Sequence, residues 1–384
     1  MKKERLTRTS YAAAYDTYVP ERGVPATRRA EQQAKRTGKL NALVDPAHYN
    51  PRRSLISFVE RPDGLFEVGV GLPVPIETRL DTTGSMGGNV DKALKVLPDL
   101  YELACNMLPG CDPQLAIGIF GDVVDDFVLC RPQFEMTAEK IVEQLTMMVP
   151  ERGGGDFPED PHYGLFGGAY LTAAYINRIG LKRFDFTVSD APARSHLDSG
   201  TIRRVFGDNV YEVTAANGHQ VPADTLLDTK DVANDLLKQA HAFFLQVNGG
   251  YGYRDKYDEY TFSFWADIFG SERVIQLPRI ELLPQVQASI IGLTHGTLTL
   301  GKLEPFLRET GVGARDADAI VRSVANIPIA PYTEAELDIL ARAPKAGDVF
   351  REKTDLWPMD PSEVPALPEP DEFEVDPENG PDWL

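Results

Sequence analysis

The order in which apolar and amphipathic segments follow one another constrains this chain more than any other feature. Short apolar runs lie at about residues 68–80, 114–122, 183–190 and 241–249. Between them, apolar residues recur every three or four positions, which is the spacing of an amphipathic helix. Because strands separated by ten or more helical residues need crossover connections, the pattern predicts an α/β fold with a doubly wound, mostly parallel sheet.

Further segments complete the predicted order of elements. Residues 209–215 are interpreted as a strand, residues 253–270 as a helix, and residues 273–278 as an edge strand. Residues 300–345 are predicted to form a small C-terminal helical appendage, because apolar side chains recur there at helical spacing. Its expected buried positions are Leu303, Phe306, Leu307, Ile320 and Val321.

Charge distinguishes the ends of the chain from its middle. Residues 1–70 are predicted to form a basic, partly flexible arm, since residues 1–53 hold 12 Lys and Arg against 5 acids. Residues 346–384 are predicted to form an acidic, proline-rich tail, whose composition does not support a core of its own. The α/β domain is assigned to residues 71–299. Whether the two ends pair with each other, dock a partner or stay solvated is left open.

Composition makes some classes of function unfavourable. The formal net charge is −19, so nucleic-acid binding is not expected, except through the basic arm. The 3 cysteines lack metal-ligand spacing and fit a reducing compartment. No run of about eighteen apolar residues could cross a membrane, and residues 1–10 lack the apolar stretch of a secretory signal. We therefore expect a cytoplasmic protein that does not act on a membrane.

Short oxygen-bearing side chains follow two of the predicted strands. Asp81, Thr83 and Ser85 lie in the hexamer DTTGSM, and Asp190 ends the run FDFTVSD. A third polar segment, GGGDFPED, contains Asp156. Because ligands of open parallel sheets bind outside the carboxyl ends of the strands, the three segments are expected to converge there. Their donors are hard oxygens, which suit Mg²⁺, Mn²⁺ or Ca²⁺ better than zinc.

Each segment also has an ordinary structural interpretation. Asp156 and Glu159 have the spacing of a helix capping box, with the intervening proline tolerated in a first turn. Asp81 and Ser85 could form only a turn. The acids of GDVVDD are more typical of an acidic turn than of another metal site, and His162 is expected to be a neighbouring or surface residue rather than a ligand.

The three segments together resemble a von Willebrand factor A (vWA) domain with a metal-ion-dependent adhesion site. The patterns D-x-T-x-S, GGGDxPE and SDAP carry the resemblance, which extends over about residues 73–297. The longer segments DTTGSMG and GGGDFPE are similar to the intracellular branch of this family, which includes α-kinase-linked and bacterial A domains. The resemblance implies a Rossmann-like fold for this part of the chain.

The family pattern also implies roles for individual residues. Thr83 and Ser85 would coordinate the metal directly, Asp81 and Asp190 would do so directly or through water, and Asp156 would fill the second-loop position. Two residues depart from the usual pattern. Thr83 stands where Ser is usual and adds a methyl group. Asp156 stands where Thr is usual, and its charge should hold the cation more tightly and weaken the attraction for an incoming carboxylate.

Two functions follow from such a site. The first is a protein-binding adaptor in an intracellular multi-protein assembly, in which the cation accepts an Asp or Glu of a partner. The resemblance to bacterial A domains implies an ATPase, kinase or phosphatase of the same system as that partner. The second is a metal-dependent hydrolase or phosphoryl-transfer enzyme that uses the cation as a Lewis acid. A general base or nucleophile is not evident in the sequence, so binding is favoured over catalysis.

Overall fold

A computed structural model describes residues 25–154, 156–247, 254–329 and 332–351. Its strands are β1 (Arg52–Ser54), β2 (Phe58–Glu60), β3 (Phe66–Val68), β4 (Leu72–Asp81), β5 (Cys111–Phe120), β6 (Leu129–Cys130), β7 (Thr172–Ala174), β8 (Arg183–Ser189), β9 (His196–Leu197), β10 (Leu227–Asp228), β11 (Ala240–Gln246), β12 (Val274–Gln276) and β13 (Val349–Phe350). Its helices are α1 (Arg28–Thr37), α2 (Asn89–Val96), α3 (Leu100–Met107), α4 (Ala138–Thr146), α5 (Pro161–Tyr170), α6 (Tyr175–Arg178), α7 (Ser199–Phe206), α8 (Val210–Ala216), α9 (Thr229–Gln239), α10 (Arg254–Phe269), α11 (Leu283–His295), α12 (Leu300–Glu309), α13 (Ala314–Val324) and α14 (Glu334–Arg342).

The central sheet has the strand order β12-β11-β8-β4-β5-β6. Neighbouring strands run parallel, except that the edge strand β6 is antiparallel to β5. From β4 the chain moves outward to β5 and β6 on one side, and it then places β8, β11 and β12 on the other. The predicted doubly wound, mostly parallel α/β sheet is therefore confirmed, and its strand order reverses between β4 and β8.

Alternate residues of the central strands face two apolar layers. On one face, Ile76 of β4 and Phe184 of β8 pack in a core with α2, α3 and α11. On the other face, α5, α9 and α10 cover the sheet, and Phe244 of β11 stacks on Trp265 with ring centroids 4.4 Å apart. Within the described ranges, no helix is long and apolar enough to span a membrane.

The predicted helical appendage corresponds to α12, α13 and α14. Leu303, Leu307 and Ile320 are buried, as expected, while Phe306 and Val321 are partly buried against the same core. Helix α11 is buried along nearly its whole length, and α12 and α13 pack against it. The appendage therefore continues the core on this face of the sheet.

The described part of the two ends is folded onto the domain. Strand β1 pairs with β7, and β13 pairs with β3 to close a three-stranded sheet with β2. Residues 25–70, which were predicted to belong to a partly flexible arm, thus contribute strands, and residues 349–350 join them from the other end. The rest of the predicted arm and tail, residues 1–24 and 352–384, lies outside the described residues.

One element differs from its prediction. Residues 209–215, interpreted as a strand, lie almost entirely in helix α8. Val210 and Thr214 are its buried residues, and they stand four positions apart, as on one face of a helix. The β-branched composition of this segment favours a strand, but packing against the domain selects the helix.

A layer of paired charges is buried between the sheet and α5. Arg79 donates hydrogen bonds to both carboxylate oxygens of Asp185, and Arg131 donates to both oxygens of Glu77. The four side chains belong to residues that are at most 1% exposed, and Arg183, also buried, lies beside Asp185. Because an unpaired charge in such a place is very costly, the pairs must stay matched.

Glycines allow α5 to approach this layer closely. A Cβ atom on Gly164 would lie 2.3 Å from Cδ of Arg79, and one on Gly167 would lie 3.1 Å from Nε of Arg131. All ten residues of the helix are buried. The glycines therefore set how deeply α5 sits, and with it the position of the loop that leads into the helix.

Replacing Gly164 tests this close fit. Gly164→Ala is expected to lower the free energy of unfolding by about 1–3 kcal/mol, because Arg79 would have to leave its paired position to make room. Gly301→Ala in α12 is the matched control, since a Cβ there meets no atom within 4 Å. At this exposed helical position Ala should be neutral or slightly stabilising. Urea denaturation measures both, and equal midpoints for Gly164→Ala and the parent would contradict the fit.

Candidate metal centre

The first loop is organised around Asp81, the last residue of β4. Its side chain is fully buried, and its Oδ1 atom accepts hydrogen bonds from the backbone N–H of Thr83 at 2.8 Å and from the Thr83 hydroxyl at 2.7 Å. Residues 84–86 continue as a short 3₁₀ turn. The N–H of Gly84 donates to the carbonyl of Gly153 at 2.8 Å, which ties this loop to the second loop, the segment that leads into α5.

The third loop brings Asp190 to the same point. The Ser85 hydroxyl donates to Oδ1 of Asp190 at 2.8 Å and lies 3.3 Å from the Thr83 hydroxyl oxygen. Ser189, the last residue of β8, donates to Oδ2 of Asp81. Because β4 and β8 are neighbours where the strand order reverses, these side chains meet in one hydrogen-bonded oxygen cluster. We refer to Asp81, Thr83, Ser85 and Asp190 as the oxygen cluster.

The two acids of the oxygen cluster, Asp81 and Asp190, lie in an environment that disfavours their ionised forms. Burial, together with the neighbouring Asp190, raises the pKa of Asp81 to about 7. Burial also raises the pKa of Asp190 itself. Close carboxylates with little access to water repel one another when ionised, and a divalent cation would relieve that repulsion.

Asp156, the predicted second-loop ligand, is not part of this cluster. Its residue is exposed, and both of its carboxylate oxygens accept hydrogen bonds from Arg194, at 2.9 and 3.0 Å. The capping-box interpretation of Asp156 with Glu159 is wrong, because α5 begins only at Pro161.

Glu159, for which the sequence suggested a capping role but no role as a ligand, approaches the cluster. Its residue is 4% exposed, its carboxylate lies beside the Thr83 hydroxyl, and its Oε2 atom has no hydrogen-bond partner among the described residues. Burial and the charge of Asp81 raise its pKa to about 9. Its backbone is fixed by a bond from its N–H to the carbonyl of Pro192 and by one from the N–H of Arg194 to its own carbonyl. An orphaned buried carboxylate oxygen at this place fits a cation ligand.

The donor set is consistent with a hard divalent cation. The hydroxyls of Thr83 and Ser85 meet the carboxylates of Asp81 and Asp190 where the first and third loops join, and the Glu159 carboxylate lies beside Thr83. Oxygen donors of this kind are the ligand chemistry of Mg²⁺, Mn²⁺ or Ca²⁺. Among the described residues, no group of three or more Asp, Glu, His or Cys side chains lies close enough together to hold a metal ion by itself. The hydroxyls are therefore essential members of the candidate site.

Arg194 holds a separate group of acids beside the cluster. In addition to Asp156, it donates hydrogen bonds to Asp122 at 3.0 Å and to Asp160 at 3.1 Å. Asp122 and Asp160 are fully buried. The predicted acidic turn of GDVVDD is present, with Asp125 accepting from the backbone of Asp122, but the turn is also linked to the third loop through Arg194.

Aromatic side chains border the second and third loops. Phe157 contacts Tyr257 and Tyr260 of α10, with ring centroids 4.9 and 5.9 Å apart. The two tyrosines are 54% and 56% exposed. Helix α10 is fixed to the third loop, because Thr261 donates to the carbonyl of Asp190 and the indole N–H of Trp265 donates to the carbonyl of Ala191. We call Phe157, Tyr257 and Tyr260 the aromatic patch.

Comparison with known proteins gives similarities only at the level of solved structures. No protein-family model matches the chain, and no curated protein matches it. Proximal thread matrix protein 1 (PTMP1) from the mussel byssus, in a structure with a zinc-occupied MIDAS motif, is 14% identical with a TM-score of 0.37, over 58% of this chain and 46% of that chain. A second crystal form of PTMP1 is 11% identical with a TM-score of 0.35, over 58% and 48%.

A bacterial surface protein gives a similar result. The pilus adhesin SpaC from Lactobacillus rhamnosus GG is 12% identical with a TM-score of 0.36, over 63% of this chain and 34% of that chain. This chain thus covers between about a third and a half of the length of these proteins.

Substituting Asp81 by Asn tests two effects: the repulsion between the buried carboxylates, and the contribution of Asp81 to cation binding. Asp81→Asn keeps the shape of the side chain and removes a buried charge, so it should raise the unfolding temperature in EDTA by a few degrees. In the parent, Mg²⁺ at about 100 times its Kd should add about 2.7 kcal/mol of stability, and in Asp81→Asn it should add almost none. Thermal unfolding with and without Mg²⁺ measures both effects. Equal stabilisation of parent and variant would remove Asp81 from the cation site.

Proposed function

We propose that the chain is a protein-binding module of the vWA type, which holds a Mg²⁺-type cation and uses it to bind a partner protein. The observation that carries the proposal is the oxygen cluster at the reversal point of the sheet, with the orphaned carboxylate oxygen of Glu159 beside it. Crevices at such points are where open α/β sheets bind ligands.

The residues nearest the proposed cation have distinct tasks. The hydroxyls of Thr83 and Ser85 would contribute neutral donors, and the carboxylates of Asp81 and Asp190 would offset the ion's charge. Glu159 is a better candidate for the second-loop ligand than Asp156, because Asp156 would first have to leave Arg194. The cation, once bound, would supply a positive point to which an Asp or Glu of the partner can bind.

The aromatic patch supports a protein as the partner. Exposed tyrosines are enriched where proteins bind each other, because they bury a large area with little loss of side-chain freedom. Tyr257 and Tyr260 stand on the helix that is hydrogen-bonded to the Asp190 loop, so a partner carboxylate near the cation would bring its neighbouring residues over them. An ATPase, kinase or phosphatase of the same cytoplasmic system is the partner class that we propose from the vWA resemblance.

Cation dependence is the first test of this function. Partner binding, assayed by recovery from an extract of the native host followed by titration of the purified partner, should be lost in EDTA and restored by Mg²⁺ or Mn²⁺. Asp190→Ala should abolish both cation binding and partner binding, because it removes a cluster ligand. Asp318→Ala, which removes an exposed acid on α13, is the matched control and should leave both unchanged. Partner binding that persists in EDTA and in Asp190→Ala would contradict the proposal.

The aromatic patch provides a second test. Tyr257→Ala and Tyr260→Ala should each weaken partner binding by about tenfold or more, the effect expected of a central interface tyrosine. Cation affinity should stay the same, since neither side chain is in the oxygen cluster. Val59→Ala is a control at an equally exposed apolar position, with Val59 64% exposed on β2. Loss of affinity in Val59→Ala but not in the tyrosine variants would place the interface elsewhere.

A further inference from the structure

Three side-chain hydroxyls donate hydrogen bonds to the two carboxylates of the oxygen cluster, and one of them, that of Ser189, lies outside the cluster itself. Ser189 ends β8, and its hydroxyl donates to Oδ2 of Asp81 at 2.5 Å. Thr83 donates to Oδ1 of the same carboxylate, and Ser85 donates to Asp190. Ser189 therefore joins the end of β8 to the end of its parallel neighbour β4.

A second contact distinguishes the Ser189 hydroxyl from the other two. Its oxygen accepts the backbone N–H of Ala191 at 3.0 Å, which occupies one of its lone pairs. Its proton points to Asp81, because the other acceptor within reach, the carbonyl of Ala191, lies at 3.4 Å and already accepts the indole N–H of Trp265 at 3.0 Å. Ser189 is also fully buried, whereas Ser85 is partly exposed. These contacts suit a hydroxyl that orients a ligand better than one that coordinates an ion.

The bond from Ser189 fixes the orientation of the Asp81 carboxylate relative to the sheet. Oδ1 of Asp81 accepts two hydrogen bonds from Thr83, one from its backbone N–H and one from its hydroxyl. Both of these donors belong to the same loop as the acid, so they would move with it. The donor to Oδ2 belongs instead to β8, a strand that is paired on both sides, by β4 and by β11. Ser189 thus sets the spacing between Asp81 and Asp190, the residue that follows it.

We propose that Ser189 is a positioning residue of the candidate cation site, which holds the Asp81 carboxylate and the Asp190 loop at the spacing that the ion requires. This role rests on the proposed function, because it needs the oxygen cluster to bind a cation. Residues that hydrogen-bond a metal ligand without touching the ion typically change metal affinity by about 10–100-fold when they are removed. A residue that mattered only for folding would change stability and leave the cation affinity of the folded protein unaltered.

The Mn²⁺ affinity of the purified full-length protein, measured by titration calorimetry, tests the role of Ser189. Ser189→Ala should bind Mn²⁺ about 10–100 times more weakly than the parent, because Asp81 loses its bond to β8. Ser189→Thr keeps the hydroxyl and should recover most of this loss. Ser289→Ala is the matched control, since Ser289 is also fully buried but donates to the carbonyl of Gln285 within α11. It should bind Mn²⁺ as tightly as the parent.

Two further measurements separate positioning from folding. Thermal unfolding in EDTA should show a cooperative transition for Ser189→Ala at a temperature below that of the parent, as expected when one buried hydrogen bond is lost. The electron paramagnetic resonance spectrum of bound Mn²⁺ should be broader in Ser189→Ala than in the parent, because a carboxylate that can turn gives the ion several environments. If Ser189→Ala does not fold, Ser189→Cys replaces it, since its S–H is only a weak donor and should cause the same loss of affinity.

The positioning role and the proposed function fail in different ways. If the parent binds Mn²⁺ and Ser189→Ala binds it with unchanged affinity, the cation site stands and the role of Ser189 is wrong. That role is also wrong if Ser289→Ala loses as much affinity as Ser189→Ala, or if Ser189→Thr recovers none of the loss. If the parent binds no Mn²⁺, both proposals are wrong.

Discussion

The paired charges buried beneath α5 are the interaction on which the placement of the candidate site depends. Arg79 with Asp185 and Arg131 with Glu77 lie on the sheet, and the glycines of α5 let the helix settle against them. A buried ion pair contributes little net stability compared with an apolar pair, but breaking it by removing one partner is severe. The layer therefore specifies where α5 lies, and the loop carrying Glu159 and Asp160 leads directly into that helix.

The reversal of strand order accounts for the rest of the arrangement. Because β4 and β8 are parallel neighbours whose chains leave in opposite directions, Asp81 and Asp190 end up close together with their hydroxyl partners. The same geometry that gathers ligands also gathers like charges, and burial makes their ionisation costly. At this edge of the sheet, Arg194 offsets the charge of Asp122, Asp156 and Asp160. We propose that a divalent ion offsets the charge of the oxygen cluster.

Much of the fold could be predicted because hydrophobic periodicity and crossover length determine the sheet class. The meeting of Asp81, Thr83, Ser85 and Asp190 followed from the same topology. Glu159 could not be distinguished from Asp156, since the loop DFPED offers several acids, and it is the backbone pairing of Glu159 with the third loop that turns this one towards the oxygen cluster. The burial of the charged residues Glu77 and Arg79 was also not predicted from the sequence. Glu77 and Arg79 alternate with apolar residues in β4, a pattern that usually marks a solvent-facing side of a strand.

Anomalous X-ray scattering from crystals grown with Mn²⁺ tests the presence of a cation at the oxygen cluster most directly. We expect a single strong peak about 2.0–2.2 Å from the Thr83 and Ser85 hydroxyl oxygens, the distance typical of a small hard cation. The same peak should lie near the carboxylates of Asp190 and Glu159, and Arg194 should remain bound to Asp156. A protein crystallised in saturating Mn²⁺ with no peak at the cluster would contradict the claim.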